Sequence, residues 1–391
     1  MTNLNRRNFL RISATAGAGA LFLHPAESMA LVKKGNDTKF PTRKLGKTDL
    51  ELPILSMGVM RADNPSVLRA AYNAGIIHFD TANGYQNGKN EEMVGNVLKG
   101  KPRESFVVAT KCKANYPYGD NFEKEFTERF ETSLKRLQMD YVDIFYAHAL
   151  GEVGEVDDPR LVALLSKFKK EGKTRYLGFS THANKPKQID AAIDAGIYDV
   201  ILLSYNFKMK QLKETDEAIA RGVKAGIGFV AMKTMTGGVA DAEGKKKIDA
   251  GACLKWAWQN KNITTIIPGF SSYDELEQCI AAANSPDLSN KEKEYLAALC
   301  NEELLYCVNC GKCVADCVEH LPIPDMMRAY MYNYGYKQPA LSKDTLMELA
   351  LSDDMCTSCK SCAVSCTEGF NVQKKIASIS GLINVPNEFL V

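Results

Sequence analysis

From residue 54 onward the chain alternates short, nearly charge-free apolar runs with longer amphipathic stretches. The runs are Ile54–Met60, Ile76–Ala82, Phe106–Cys112, Tyr141–His148, Thr174–Thr181, Val200–Asn206, Gly226–Lys233 and Ile263–Phe270, eight in all. They are rich in Val, Ile and Phe, and continuous apolar runs of this length mark strands covered on both faces. The stretches between them carry helix periodicity and helix punctuation. Phe122–Gln138 spaces Phe122, Phe126, Phe130, Leu134 and Leu137 along one helical face. Asp158-Pro159 supplies a cap and a first-turn proline, and Gly172 closes that helix. Gly75, Gly196 and Gly226 stand where other helices end. Eight strand–helix units in about 220 residues predict an α/β chain folded as a (β/α)₈ TIM barrel. The alternative is a doubly wound open sheet. Such sheets usually have fewer strands and often open on a glycine-rich turn, and no GxGxxG occurs here. Ahead of the first run, Phe40–Leu45 and Leu50–Pro53 flank Gly46-Lys47-Thr48-Asp49. They predict a hairpin that plugs the barrel floor and carries no chemistry.

The two ends of the chain follow different patterns. Residues 1–30 have a basic start (Arg6, Arg7, Arg11), an apolar small-residue stretch Ile12–Leu23 too short to span a bilayer, and a small-x-small site at Ser28-Met29-Ala30. Asn5-Arg6-Arg7-Asn8-Phe9-Leu10-Arg11 resembles the bacterial twin-arginine (Tat) export signal. The expectation is an exported, periplasmic protein whose mature chain begins at Leu31, and the alternative is an uncleaved amphipathic start or anchor. No other segment is apolar enough to cross a membrane. At the far end, eight of the 12 cysteines lie between Cys307 and Cys366, while Cys112, Cys253, Cys279 and Cys300 are scattered. Cys307-x2-Cys310-x2-Cys313-x3-Cys317 and Cys356-x2-Cys359-x2-Cys362-x3-Cys366 repeat the spacing used by bacterial proteins that hold two [4Fe–4S] clusters. Val318 and Thr367 stand where proline usually follows the run. Disulfides and Cys₄ zinc sites are the alternatives. Because the fourth cysteine of each run lies a helical turn beyond its loop, the runs are expected to exchange it: Cys307, Cys310, Cys313 and Cys366 hold one cluster, and Cys356, Cys359, Cys362 and Cys317 the other. Helices are expected at Pro324–Tyr334 and Ser342–Leu351, the latter with Leu346, Leu349 and Ala350 on one face. The module resembles an α-helical dicluster ferredoxin. Its Met326, Met327, Tyr330, Tyr332 and Tyr334 are expected to be core. The expected organisation is a signal at 1–30, a barrel at 31–295 and the cluster module at 296–391. Lys plus Arg number 49 and Asp plus Glu 47, so charge gives no reason to expect nucleic acid as a partner.

The C-terminal strand ends form the active face of such a barrel. Asp80 lies near the end of the second run, Tyr85 follows in its loop, Lys111 is near the end of the third run, and His148 ends the fourth. Each alone is weak evidence, since a strand-end Asp is often a cap and a lone His is usually structural. Together they suit carbonyl reduction. Asp80 pairs with Lys111, whose ammonium is expected to lower the pKa of Tyr85. His148 hydrogen-bonds the substrate oxygen, and Tyr85 protonates it as general acid. Hydride must come from a cofactor, since no side chain donates it.

The segments Phe79-Asp80-Thr81-Ala82-Asn83-Gly84-Tyr85, Asn90-Glu91-Glu92 with Gly95, Val108-Ala109-Thr110-Lys111, Tyr141-Val142-Asp143-Ile144 with His148, Gly178-Phe179-Ser180 and Tyr205-Asn206 resemble the aldo/keto reductase family over roughly residues 40–285. The resemblance implies a (β/α)₈ barrel, an extended nicotinamide cofactor at the strand C-termini and reversible reduction of aldehydes or ketones. It assigns cofactor contacts to Ser180, Tyr205, Met232, Lys233, Gly269 and Glu275. Several positions depart from the family pattern. Thr181 stands for the usual Asn, Leu202 for a Gln and Met232 for the stacking aromatic, while Gly269 and Glu275 stand where Lys and Arg would clamp a 2′-phosphate. These departures favour NAD(H) over NADP(H), because a glutamate repels a phosphate and accepts from a ribose hydroxyl. Two functions follow. One is an exported oxidoreductase acting on a small carbonyl or alcohol, a sugar among the candidates, wired through its clusters to a redox partner protein. The other is an electron-transfer or docking protein whose barrel no longer turns over. The intact Asp80, Tyr85, Lys111 and His148 weigh for the first.

Overall fold

The computed structural model describes residues 40–390 apart from 115, 237–247 and 361. The signal expected at 1–30 lies outside the described residues. A short hairpin opens the described chain, with strand β1 (Thr42–Lys44) antiparallel to β2 (Glu51–Pro53). Eight parallel strands follow in chain order: β3 (Met57–Gly58), β4 (His78–Asp80), β5 (Val107–Lys113), β6 (Val142–Leu150), β7 (Thr174–Thr181), β8 (Val200–Ser204), β9 (Gly228–Met232) and β10 (Thr265–Ile266). The sheet closes on itself. Leu55 bridges Ile266, Ser56 N–H donates to Ile266 O (2.9 Å), and Gly58 N–H donates to Pro268 O (3.1 Å). The eight apolar runs therefore become the eight staves of a (β/α)₈ barrel. β3 and β10 are the shortest staves. Val59–Arg61 turns into a 3₁₀ helix directly after β3, and Pro268 beyond β10 has no N–H to extend a ladder.

Two apolar layers hold the barrel. Between strands and helices, Phe126, Phe130, Phe145 and Phe168 interlock, Phe130 stacking on Phe145 with ring centroids 3.8 Å apart. Such ring pairs add about 0.5–1.5 kcal/mol beyond their area burial. Phe122, Phe126, Phe130, Leu134 and Leu137 form the buried face of helix Phe122–Leu137, as their spacing predicts. Inside the barrel, Leu45, Leu50 and Leu52 of the hairpin pack against Val107, Ile144, Tyr146, Val200, Leu202 and Val230. The hairpin is thus the plug of the floor. Its tip turns at Gly46 (φ +54°), where a Cβ would meet Gly226 O at 2.4 Å.

The cysteine-rich segment belongs to the same compact unit as the barrel, Thr38–Val391. The boundary expected between 295 and 296 falls inside helix Asn290–Cys300, whose Leu296 packs with Phe207, Ala252 and Cys253 of the barrel. Helices Ile323–Tyr334 and Pro339–Glu348 occupy the positions expected from sequence, the second starting three residues earlier on its first-turn proline. They lie across the C-terminal ends of the strands. Gln338 Nε2 donates to Arg61 O (3.0 Å), Asn87 Nδ2 to Asp344 Oδ1 (3.1 Å) and Lys233 Nζ to the Tyr336 hydroxyl (3.1 Å). The barrel mouth therefore has a roof. Among the described residues no helix is long and apolar enough to cross a membrane.

Candidate active site beneath the cluster module

A cavity of about 430 Å³ lies between the strand ends and the roof, within the usual range for a small-molecule site. Asp80, Tyr85, Lys111 and His148 all line it. Parallel pairing sets β4, β5 and β6 side by side, so three neighbouring staves deliver these groups to one bowl. Lys111 Nζ donates to Asp80 Oδ1 at 2.5 Å and to Thr81 O at 2.6 Å, with both side chains almost fully buried. Burial pushes Asp80 up and Lys111 down, and the attraction between them opposes both shifts. At this separation they stand as a charged pair, and removing one partner of a buried pair typically costs about 3–5 kcal/mol. Asn90 and Glu91 hold the loops around the pair. Thr81 Oγ1 donates to Asn90 Oδ1 (2.7 Å), Asn90 Nδ2 donates to Val59 O (2.8 Å), and Glu91 Oε1 accepts from Thr110 Oγ1 (2.6 Å).

Tyr85 opens a 3₁₀ turn after β4, and its ring meets that of His148 edge-on with centroids 5.8 Å apart. Lys111 Nζ sits 4.9 Å from the Tyr85 ring centroid. Burial raises the Tyr85 pKa, and Asp80 raises it further. This corrects the expectation that Lys111 lowers it, for the ammonium is committed to Asp80 and to Thr81 O. The cation that opposes the rise is Arg328 of the roof. Tyr85 therefore keeps its proton at neutral pH, and can release it only to an oxygen that is gaining negative charge. The His148 pKa lies well below the ordinary histidine value because of burial and then the nearby Lys111, Lys113 and Arg328. A neutral imidazole can donate one N–H to a carbonyl oxygen.

Of the six residues assigned to a cofactor, Ser180, Met232, Lys233 and Gly269 line the cavity; Tyr205 and Glu275 do not. The Tyr205 hydroxyl donates to Asp216 (2.7 Å), and its ring stacks on Trp256. Glu275 accepts from Ser271 N–H (2.7 Å) and pairs with Arg61 (3.2 Å), which also donates to Gly269 O (3.0 Å). The remaining groups suit the polar end and the phosphates of a nicotinamide dinucleotide. Ser180 Oγ accepts from Ala149 N–H (2.8 Å), leaving its own proton to donate. Lys233 and Arg61 also line the cavity and carry positive charge.

The roof contributes groups that sequence reasoning missed: Arg328, Tyr336 and Glu348 line the cavity, as do His182 and Lys113 of the barrel. Tyr332, expected as core, is buried but forms cavity wall, its ring 5.0 Å from Lys233 Nζ. His182 was within reach, two residues past Ser180 at the end of β7. No local pattern marks Arg328, since its place depends on how a distant helix docks.

A second, smaller cavity is lined by Cys307, Cys310, Cys313 and Cys366. The charges felt at Cys356 come from Cys362, Cys317 and Cys359. The cavity thus draws three thiols from one run and the fourth from the other, and the charge of Cys317 felt at Cys356 points the same way for the remaining four. Among the described residues no three His, Cys, Asp or Glu converge as the shell of a single metal ion, and every cysteine is an unpaired thiol. Four thiols around a void match the donor set of a cubane cluster. One helix separates the two sites. Pro324 and Met327 of Ile323–Tyr334 line the thiol cavity, whereas Asp325, Arg328 and Tyr332 line the catalytic one.

Comparison with known proteins gives a consistent picture. Residues 55–252 match the model of the aldo/keto reductase family, and residues 306–371 that of a 4Fe–4S dicluster domain. L-galactose dehydrogenase of Arabidopsis thaliana is 28% identical over 303 residues, covering 66% of this chain and 93% of that protein. L-glyceraldehyde 3-phosphate reductase of Escherichia coli K12 is 31% identical over 163 residues, covering 37% of this chain and 46% of the relative. A solved aldo-keto reductase from Bacillus halodurans, in its holo form, matches with a TM-score of 0.55 at 23% identity, covering 66% of this chain and 96% of that one, which speaks for the fold.

Proposed function

The chain belongs to the aldo/keto reductase family and carries a 4Fe–4S dicluster domain, and from that premise we propose an exported oxidoreductase that interconverts a small carbonyl and its alcohol with NAD(H), beside two [4Fe–4S] clusters. The observation that carries this reading is the buried Lys111–Asp80 pair at 2.5 Å beneath Tyr85 and His148 in one roofed cavity. His148 orients the substrate oxygen through its N–H, and Tyr85 protonates it as charge develops. Lys111 holds Asp80 and steadies the floor under the Tyr85 ring. The nicotinamide ring, when bound, supplies the hydride. Ser180, Met232, Lys233 and Gly269 would hold that cofactor, and Gly269, standing where the family pattern places a Lys, supports the preference for NAD(H). A sugar substrate is in keeping with the cavity's size and with the name of the Arabidopsis relative. The thiol cavity lies one helix away, and a helix is about 10–12 Å thick, so a cluster there would sit close enough to the catalytic cavity for electrons to pass. The residues at 5–11 and 28–30 support Tat export and cleavage before Leu31.

The second reading, a barrel that docks or relays electrons without turnover, draws on Tyr332 and Tyr336 lying over Lys233. One variant separates the two. Tyr85→Phe in the cluster-loaded protein should lose roughly 10²–10⁴-fold in carbonyl reduction, with iron content and melting temperature unchanged. Unaltered turnover in that variant would remove Tyr85 from the chemistry. Absence of turnover in the parent protein across a panel of sugars, aldehydes and ketones would favour the second reading.

A further inference from the structure

Arg328 is placed as a binding group is placed. It sits on helix Ile323–Tyr334 of the cluster module, yet its side chain lines the catalytic cavity together with Tyr85 and His148. It pairs with Asp325, one turn back on the same helix. That pair anchors one end of the guanidinium. Its Nε is shielded from solvent and has no hydrogen-bond partner. A shielded unpaired donor is costly; Arg61 and Arg103 share the feature, so at Arg328 it counts only together with its place on the cavity wall. Here an unanswered donor belongs to a group that opens onto the space where substrate must lie. The charge of Arg328 is felt at Tyr85, His148, His182, Lys113 and Lys233, which come from five different segments of the barrel. Its position is therefore central to the bowl.

The surroundings add to the same sign. Six cationic side chains line the cavity (Arg61, Lys111, Lys113, Arg129, Lys233 and Arg328), against four anionic ones (Asp80, Asp325, Asp344 and Glu348). Lys111 is cancelled by Asp80, Arg61 pairs with Glu275, Arg129 with Glu125 and Arg328 with Asp325, whereas Lys113 and Lys233 have no carboxylate within ion-pair distance among the described residues. His148 and His182, both held neutral, offer N–H donors and no opposing charge. With Lys233 and Arg61 given to the phosphates of the dinucleotide, Lys113 and the open edge of Arg328 remain for the substrate, and a neutral polyol would bring them no counter-charge. A carboxylate matches the planar fork of a guanidinium through two parallel hydrogen bonds.

We infer that the cluster module completes the catalytic cavity with a carboxylate-binding subsite centred on Arg328, and that the substrate is a carbonyl or alcohol compound bearing a carboxylate. The inference rests on the carbonyl-reduction reading for its placement of the reacting oxygen, between Tyr85 and His148. The module then has two tasks on the two faces of one helix: it cradles thiols with Pro324 and Met327, and it selects substrate with Arg328. Without the roof, the barrel would bind its reactive centre but not the acid group.

The test is a binding titration and needs no turnover. The cluster-loaded protein is titrated calorimetrically with three acids, each beside a neutral counterpart: pyruvate and hydroxyacetone, D-glucuronate and D-glucose, phenylglyoxylate and acetophenone. At least one acid should bind about tenfold or more tightly than its counterpart. Arg328→Leu should abolish that preference, and Arg328→Lys, which keeps the charge but not the fork, should restore only part of it. Iron content and melting temperature of each variant must equal the parent's; if Arg328→Leu fails this control, Arg328→Gln replaces it. Acids that bind no better than their counterparts would overturn the inference, as would an Arg328→Leu protein that keeps the preference. Tighter binding of glucose 6-phosphate than of all three acids would overturn the carboxylate assignment. The outcomes separate from those of the catalytic reading. Acid preference without carbonyl reduction keeps the subsite and sinks the reductase, while Tyr85-dependent reduction without acid preference does the reverse.

Discussion

A lysine with 1% of its side chain exposed can stay charged only if something answers it, and Lys111 has Asp80 and Thr81 O for that purpose. This pairing was legible in the sequence because both residues fall at the ends of neighbouring strands. The direction of the Tyr85 pKa was not, because it depends on how the ammonium is shared and on a roof residue 243 positions away, Arg328. His78 makes the same point in the opposite sense. It is fully buried on β4, its Nδ1 is 3.1 Å from Ser56 Oγ, and burial pushes its pKa down to about 3 from an ordinary 6.5. In the unfolded chain His78 takes up a proton below pH 6.5, whereas in the folded chain it resists until about 3. The unfolded state therefore binds more protons across that window, and stability falls as pH falls. The slope from this residue is roughly 1.4 kcal/mol per pH unit. Urea unfolding between pH 6.5 and 4 should show a shallower pH slope in His78→Gln than in the parent. Parallel slopes would mean that His78 titrates in the folded protein as it does when unfolded.

At the scale of elements, the apolar runs located every strand of the barrel, because a stave covered on both faces needs little beyond a continuous apolar stretch. They did not set the ends. Ile54–Met60 and Ile263–Phe270 shrink to the two-residue strands β3 and β10, where a 3₁₀ turn and Pro268 interrupt the ladder. Helix Asn290–Cys300 went unpredicted although Ser289 and Glu292 form a capping box, a signal present in the sequence. The cysteine runs were legible as a pair, since spacing alone specifies their chemistry. Their exchange of fourth ligands is a claim about elements, and it has a direct check. If Cys317 serves the run Cys356, Cys359 and Cys362, Cys317→Ala should damage that cluster and leave the one held by Cys307, Cys310 and Cys313 largely intact. Paramagnetic resonance of the reduced variant, compared with Cys366→Ala, reads this out. Loss of the nearer cluster instead would mean that each run closes on itself.

For the whole molecule, the main consequence is the roof. The sequence suggested a barrel followed by a cluster module, and the structure folds the second over the mouth of the first, through Gln338 on Arg61, Tyr336 on Lys233 and Glu348 against Gly84. Contacts of this range leave no trace in local periodicity. Catalytic and thiol cavities come to lie on opposite faces of one helix. The most direct test of the account is to purify the mature protein anaerobically from the periplasm, then quantify iron and released nucleotide on the same sample. The account predicts about eight iron atoms per chain, four for each cubane, together with NAD(H) in preference to NADP(H). Zinc in place of iron, a flavin in place of a nicotinamide, or a protein found only in the cytoplasm would contradict it.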